Sequence, residues 1–174
     1  TDGQFYVQAS GGGMVDLKNL TTTAGFVWFQ VSDRDSRIDL SAMTSFVGTS
    51  NAGFYVDRDG TLVIPKLEVM EGGYLRLQQG AVMDVGKITR LEQVRLDIAG
   101  IEPQFAALTS LDEVSISLSA GGRLALPQIT QIRTTSQNYT VSGAGSELSL
   151  PNLTRIVTDG QFYVQASGGG MVDL

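Results

Sequence analysis

The chain of 174 residues contains no cysteine and no histidine. Without a thiol there is no disulfide, no thiolate nucleophile and no cysteine-ligated metal. Without an imidazole the commonest general base and metal ligand is gone, and with it Ser-His-Asp hydrolysis. Charged residues make up only 17% of the chain. Acidic residues outnumber basic ones, 18 to 12, so the net charge is −6 and a polyanion is repelled; no nucleic-acid partner is expected. No apolar run approaches the length of a membrane span, so no membrane insertion is expected. No stripe at i, i+3, i+4, i+7 persists over a helix length. Gly11-Gly-Gly13 runs into strand-type residues rather than a helix start, so it reads as a corner and not as a phosphate cradle. What is abundant is glycine, with 21 residues, against only 4 prolines.

The first 17 residues, TDGQFYVQASGGGMVDL, recur unchanged at 158–174. Chance does not produce such an identity, and it reads as a window slightly longer than one 157-residue period of a repeating chain. On this reading residues 1–157 are one block and residues 158–174 open the next identical one. A shorter repeat lies inside the block. An apolar residue followed by threonine recurs at Leu20, Met43, Ile88, Leu108, Ile129 and Leu153, and Leu67-Glu68 fills the one gap. The spacings are 23, 24, 21, 20, 21 and 24 residues, and a last spacing of 24 into the next block closes them on 157. Seven coils therefore fill the long period without remainder.

Around each anchor the apolar positions keep register. Five residues before it stand Val15, Ile38, Leu62, Met83, Leu124 and Leu148, with Pro103 as the exception. Three residues before it stand Leu17, Leu40, Ile64, Val85, Phe105, Leu126 and Leu150. Alternation at −5 and −3 has the period of a strand with one face inside. A second alternating stretch follows in each coil, such as Phe29-Gln-Val31, Phe54-Tyr-Val56 and Phe162-Tyr-Val164. Gly, Asn, Ser and Asp, the residues of tight turns, separate the strands. The pattern predicts an all-β fold: a right-handed parallel β-helix (β-solenoid) of about seven coils of 20–24 residues with three short strands each. Right-handed crossover connections are the rule for such units.

The phrases Leu148-Ser-Leu-Pro-Asn-Leu-Thr-Arg-Ile156 and Leu124-Ala-Leu-Pro-Gln-Ile-Thr-Gln-Ile132 resemble the "LxLPxLTxI" units of giant, highly repetitive bacterial cell-surface proteins. They are distantly similar to leucine-rich repeats and receptor L domains, whose recurring Asn or Cys ladder this chain lacks. The resemblance implies an extracellular chain at the cell surface, serving as a fibre, stalk or adhesin rather than an enzyme. Its partners would be identical blocks end to end.

Two surface features stand out. Asp33-Arg-Asp35 and Asp57-Arg-Asp59 fall at about the same corner of neighbouring coils, where Asp33, Asp35, Asp57 and Asp59 offer hard oxygen ligands for Ca²⁺. The competing reading is a solvated charge ladder in which Arg34, Arg37 and Arg58 interleave with the carboxylates. No other cofactor is implied. The second feature is aromatic. With Phe29, Phe54 and Phe162 pointing inward, Trp28, Tyr55 and Tyr163 (equivalently Tyr6) point outward as a column over consecutive coils, with Phe5, Phe29 and Phe54 stacked behind. Such a column can stabilise the sheet across coils, mediate lateral self-association, or stack on surface glycans. A carbohydrate-binding β-helix module is thus the alternative function. A carboxylate-dependent polysaccharide-degrading enzyme is a third, with Asp84, Asp97, Asp112 and Glu113 as its candidate acids. The one-per-coil threonine after each anchor reads as turn support.

Overall fold

The computed structural model describes residues 3–49 and 51–174; Thr1 and Asp2 of the first copy of the 17-residue repeat lie outside the described residues. Among these residues there is no helix, and all strand pairings are parallel between successive coils. The chain is a β-solenoid of about seven turns with three faces. The widest face is an eight-stranded sheet formed by Gln4–Ala9, Phe26–Ser32, Gly53–Asp57, Tyr74–Leu77, Arg95–Ala99, Ser115–Ser119, Asn138–Ser142 and Tyr163–Ser167. A seven-stranded sheet of shorter strands, from Thr22–Thr23 to Arg155–Thr158, forms the second face.

The third face is split. Met14–Asp16, Arg37–Asp39, Thr61–Val63 and Val82–Met83 form one ladder, and Arg123–Ala125, Glu147–Ser149 and Met171–Asp173 another. The coil between them carries Pro103, the exception in the −5 column, and forms no strand there. Proline has no N–H to give to the ladder, so the sheet stops on both sides of it.

The inward columns are those of the sequence pattern. Val15, Ile38, Leu62 and Met83 stand in register on the third face. Phe46, Met70, Leu91 and Leu111 do so on the second. Phe29, Phe54, Leu75, Leu96, Ile116 and Tyr139 do so on the widest. From Phe29 to Leu150 these side chains form one continuous buried core. A single coil has no second layer to cover its apolar face; its neighbours supply it.

Each anchor closes a turn. The anchor N–H donates to the carbonyl of the −3 residue in all seven coils, from Leu20 to Leu17 (2.9 Å) through Leu153 to Leu150 (3.0 Å). The residue at −2 is position i+1 of a β-turn, which suits proline, and Pro65, Pro127 and Pro151 stand there. Where −2 is not proline its N–H needs an acceptor. Asp16, Asp39 and Asp84 at −4 provide one, accepting from the N–H of Lys18, Ser41 and Gly86 at 2.9–3.0 Å. In the three proline coils −4 is Val63, Ala125 or Ser149, since there is no N–H to cap. The threonine after the anchor supports the same corner in three coils: the hydroxyls of Thr89, Thr109 and Thr154 donate to the carbonyls of Glu68, Thr89 and Thr130 one coil back, at 3.1, 3.4 and 3.1 Å.

Candidate functional site

The corner that follows the widest sheet decides the fate of the four aspartates. One seat in that corner has positive φ in every coil: Gly12 (85°), Asp35 (67°), Asp59 (65°), Gly80 (82°), Gly100 (71°), Gly121 (81°), Gly145 (81°) and Gly169 (88°). Glycine fills the left-handed seat without strain, and aspartate is among the few other residues that tolerate it. Asp35 and Asp59 are therefore turn residues standing where the other coils have glycine. Asp57 opens this corner as Asp33 does, the two carbonyls accepting from the N–H of Gly60 (3.0 Å) and Ser36 (3.2 Å). Asp57 is the last residue of its strand, in register with Ser32, buried, and paired with the Arg76 Nε (3.4 Å). Asp33 accepts from the N–H of Gly11 in the coil before it (3.4 Å).

The expected four-carboxylate cluster does not form. Among the described residues no group of three or more acidic side chains is placed to hold a metal ion. Asp33, Asp35, Asp57 and Asp59 are thus not gathered, among the described residues, into the ligand set for Ca²⁺ that their spacing suggests. Among the described residues the arginine ladder is absent too: Arg37 pairs with Asp39 on the third face (2.9 Å), and Arg34 and Arg58 form no ion pair with the corner carboxylates. Asp39 is held below the usual carboxylate range, mainly by the hydrogen bond from Arg37 and then by Ser41.

The aromatic column exists, with a different register and exposure. Tyr6 stands opposite Trp28. Trp28 in turn stands opposite Gly53, and so does Tyr74 from the other side. Gly53 has φ 141°, and a Cβ there would lie 2.0 Å from the carbonyl oxygen of Tyr74. The gap it leaves between two rings is filled by Tyr55, two residues along the same strand. Tyr55 stacks on Trp28 (centroids 4.4 Å, 20°) and on Tyr74 (5.3 Å, 12°), and its hydroxyl donates to the carbonyl of Asn51 (3.1 Å). Arg95 lies over the remaining face of Tyr74 at 5.7 Å, and Tyr6 leans on Trp28 at 5.9 Å.

The rings thus stack along the solenoid axis and cover one another's faces. Tyr55 is only 8% exposed, against 51% for Tyr6 and 57% for Tyr163 at the two ends. Burial between its neighbours raises the Tyr55 phenol above its ordinary pKa, and the same holds for Tyr74. Behind the column Phe29 and Phe54 stack at 5.5 Å as expected. Phe5 does not join them. It pairs with Val27, while Val7 faces Phe29, so the first coil sits two residues out of the expected register. Sequence reasoning missed Tyr74 and Arg95, although the Gly-Gly-Tyr-Leu-Arg-Leu stretch repeats the strand pattern.

The candidate acids are dispersed over different faces. Asp84 caps a turn on the third face, Asp97 accepts from the Tyr74 hydroxyl on the widest (3.3 Å), and Asp112 accepts from Ser110 on the second (3.2 Å). Glu113 lies at the next corner in an open groove of about 570 Å³, lined also by Gln93, Arg95, Ser115, Thr135 and Gln137. It accepts from the N–H and hydroxyl of Thr135 (2.9 Å each) and from Gln137 (3.4 Å). These bonds outweigh a desolvation that acts in the opposite direction and leave its carboxyl below the usual range. Among the described residues Glu113 is the one acid lining this groove, and the paired carboxylates of glycoside hydrolysis are not seen there.

These features define a repeat-built parallel β-solenoid whose outer ladders mainly hold coil to coil. No protein-family model, curated protein or solved structure matches the chain.

Proposed function

We propose that the chain is a structural segment of a long extracellular fibre, stalk or adhesin at a cell surface, built from tandem 157-residue β-solenoid blocks. The observation that carries this reading is the way residues 158–174 sit. They form a further coil on the solenoid, with Tyr163–Ser167 on Asn138–Ser142 and Met171–Asp173 on Glu147–Ser149, all parallel and in register. The same sequence at the other end, Gln4–Ala9 and Met14–Asp16, pairs with Phe26–Ser32 and Arg37–Asp39. One coil type therefore fits both the top of a block and the bottom of the next, and stacking passes through the boundary unbroken.

The mutual covering of the Trp28, Tyr55 and Tyr74 faces favours cohesion along the rod over a glycan platform, which needs open ring faces. A block carries 12 basic and 16 acidic residues, a net charge of −4 that opposes indiscriminate clumping. Immunogold labelling of intact source cells with antibody raised against the chain tests the reading. Gold aligned along filaments projecting from the envelope supports it, and labelling only after lysis overturns it.

A further inference from the structure

We propose that the second face pairs with the same face of a second copy of this chain, so that two solenoids run side by side, parallel and in register. The inference deepens the fibre reading and rests on it for the repetition of the contact from block to block. The strands of this sheet are short, and each turns two side chains outward around one that is buried. One outward column holds Ser45, Val69, Arg90 and Ser110 in register from coil to coil. The other holds Glu71, Glu92 and Asp112, with Arg133 above them. Three carboxylates thus stand one above another at the spacing of neighbouring strands, where like charges repel. Glu92 is paired with Arg90 on its own strand (3.4 Å), whereas among the described residues Glu71 forms no ion pair. The corner on the Arg90 side carries Lys66 and Lys87, both exposed and, among the described residues, without an ion pair. With Lys18 at the same corner they are all the lysines of the chain. The corner on the other side adds Glu113. The middle of the face is therefore basic along one edge and acidic along the other, with Glu68 as the one acid on the basic edge.

Such a face is complementary to itself under one rotation. A two-fold axis parallel to the solenoid axis sets the basic edge of each copy against the acidic edge of the other, at the same level. Arg90 of each copy then faces Glu92 of the other, and the two Arg90–Glu92 pairs become a ring of four alternating charges. Lys66 and Lys87 reach from the corner toward Glu71, Glu92 and Glu113 of the opposite copy. A two-fold axis across the solenoid, centred on the Arg90 coil, makes the copies antiparallel instead. It sets Glu92 on Glu92 and Glu71 on Asp112, and is repelled. The charge pattern thus selects the parallel arrangement, which is also the polarity shared by rods that project from one surface. Complementarity of this kind fixes partner and register more than it adds strength. The contact is isologous, so it closes on a pair of rods and does not spread into a mass. A single exposed ion pair contributes little. The patch recurs with every 157-residue block, and contacts made along one rod reinforce one another.

Carbodiimide coupling of the unaltered chain, half of it labelled with heavy nitrogen, reads the contact directly. The reagent joins a lysine amine to a nearby carboxylate as an amide, taking up the water that is lost. The expected result is mixed-isotope crosslinks from Lys66 and Lys87 to Glu71, Glu92 or Glu113, abolished at about 1 M salt, where the Debye length is about 3 Å. No mixed crosslink, or mixed crosslinks only to acids of the other faces, overturns the proposal. Charge exchange gives a second readout. One variant carries Lys87→Glu with Arg90→Glu, so both edges are acidic; the other carries Glu71→Lys with Glu92→Lys, so both are basic. Each alone is expected to sediment as a monomer and an equal mixture as pairs; a mixture that associates no more than its components overturns the proposal. Should a variant unfold, the crosslinks of the unaltered chain decide. If those crosslinks are missing while a covalent chain of several blocks forms single rods, the pairing fails and the tandem reading stands. If the several-block chain forms no rod, the tandem reading fails, and the crosslinks still decide the pairing.

Discussion

Asp35 and Asp59 owe their positions to backbone geometry. Each takes a left-handed seat that is glycine in the other coils, and a residue with a Cβ is strained there by about 1–2 kcal/mol. Asp35→Gly is therefore expected to leave stability unchanged or to raise it slightly, and Asp35→Val to lower it by about 1–2 kcal/mol, read by urea denaturation. The signal was available in the sequence, since Asp35 and Asp59 align with Gly12, Gly80 and Gly121 once the coils are in register. Reading Asp-x-Asp as a ligand motif ignored which of its members the turn requires. Tyr139 poses the opposite case. Its inward position follows from the alternation, but its hydroxyl is fully buried without a hydrogen-bond partner, and burial pushes the phenol far above its ordinary pKa. An unpaired buried hydroxyl costs about 1–3 kcal/mol, so Tyr139→Phe is expected to stabilise the chain by about 1 kcal/mol or more, seen as a raised Tm.

At the level of strands and turns, proline and aspartate act as alternatives. Six of the seven turns before the anchors contain either proline at −2 or an N–H there held by aspartate at −4; the Leu108 coil, with Ala106 and Gln104 at these places, has neither. Asp39→Ala is expected to cost about 1 kcal/mol, and adding Ser41→Pro to recover most of it by removing the N–H that needed capping. Thermal denaturation of the single and double variants checks this. Gly53 is the fixed point of the ring stack. A Cβ would collide with the Tyr74 backbone at a φ that favours glycine, so Gly53→Ala is expected to cost about 2 kcal/mol and to shift Trp28 emission as Tyr55 leaves its place. The inward columns of all three faces were legible in the spacing because the anchors fix the phase. The register of the first wide strand was not. Phe5-Tyr-Val7 and Phe29-Gln-Val31 share the same alternation, and a slip of two residues leaves every side chain on its predicted face. Pro103 was visible as an exception, and its consequence, a third face divided into two ladders, follows from the missing donor.

For the whole molecule the main consequence of the fold is that each coil depends on its neighbours for burial. Most of the large exposed apolar side chains lie in the two terminal coils, among them Phe5 and Met14 at one end and Val164, Met171 and Leu174 at the other. Val7 is 6% exposed where a coil lies above it, whereas Val164, the same residue in the next copy, is 40% exposed with a coil only below. An interior coil is covered by a neighbour on either side, and the buried core depends on that stacking. Seven coils at about 4.8 Å set an advance of about 34 Å per block. The most direct measurement is cryo-electron microscopy of chains with two, four and eight tandem blocks. Straight rods of constant width that lengthen by about 34 Å per block are the predicted result. Compact particles, or rods whose length does not scale with block number, would contradict continuous stacking across the 157-residue boundary.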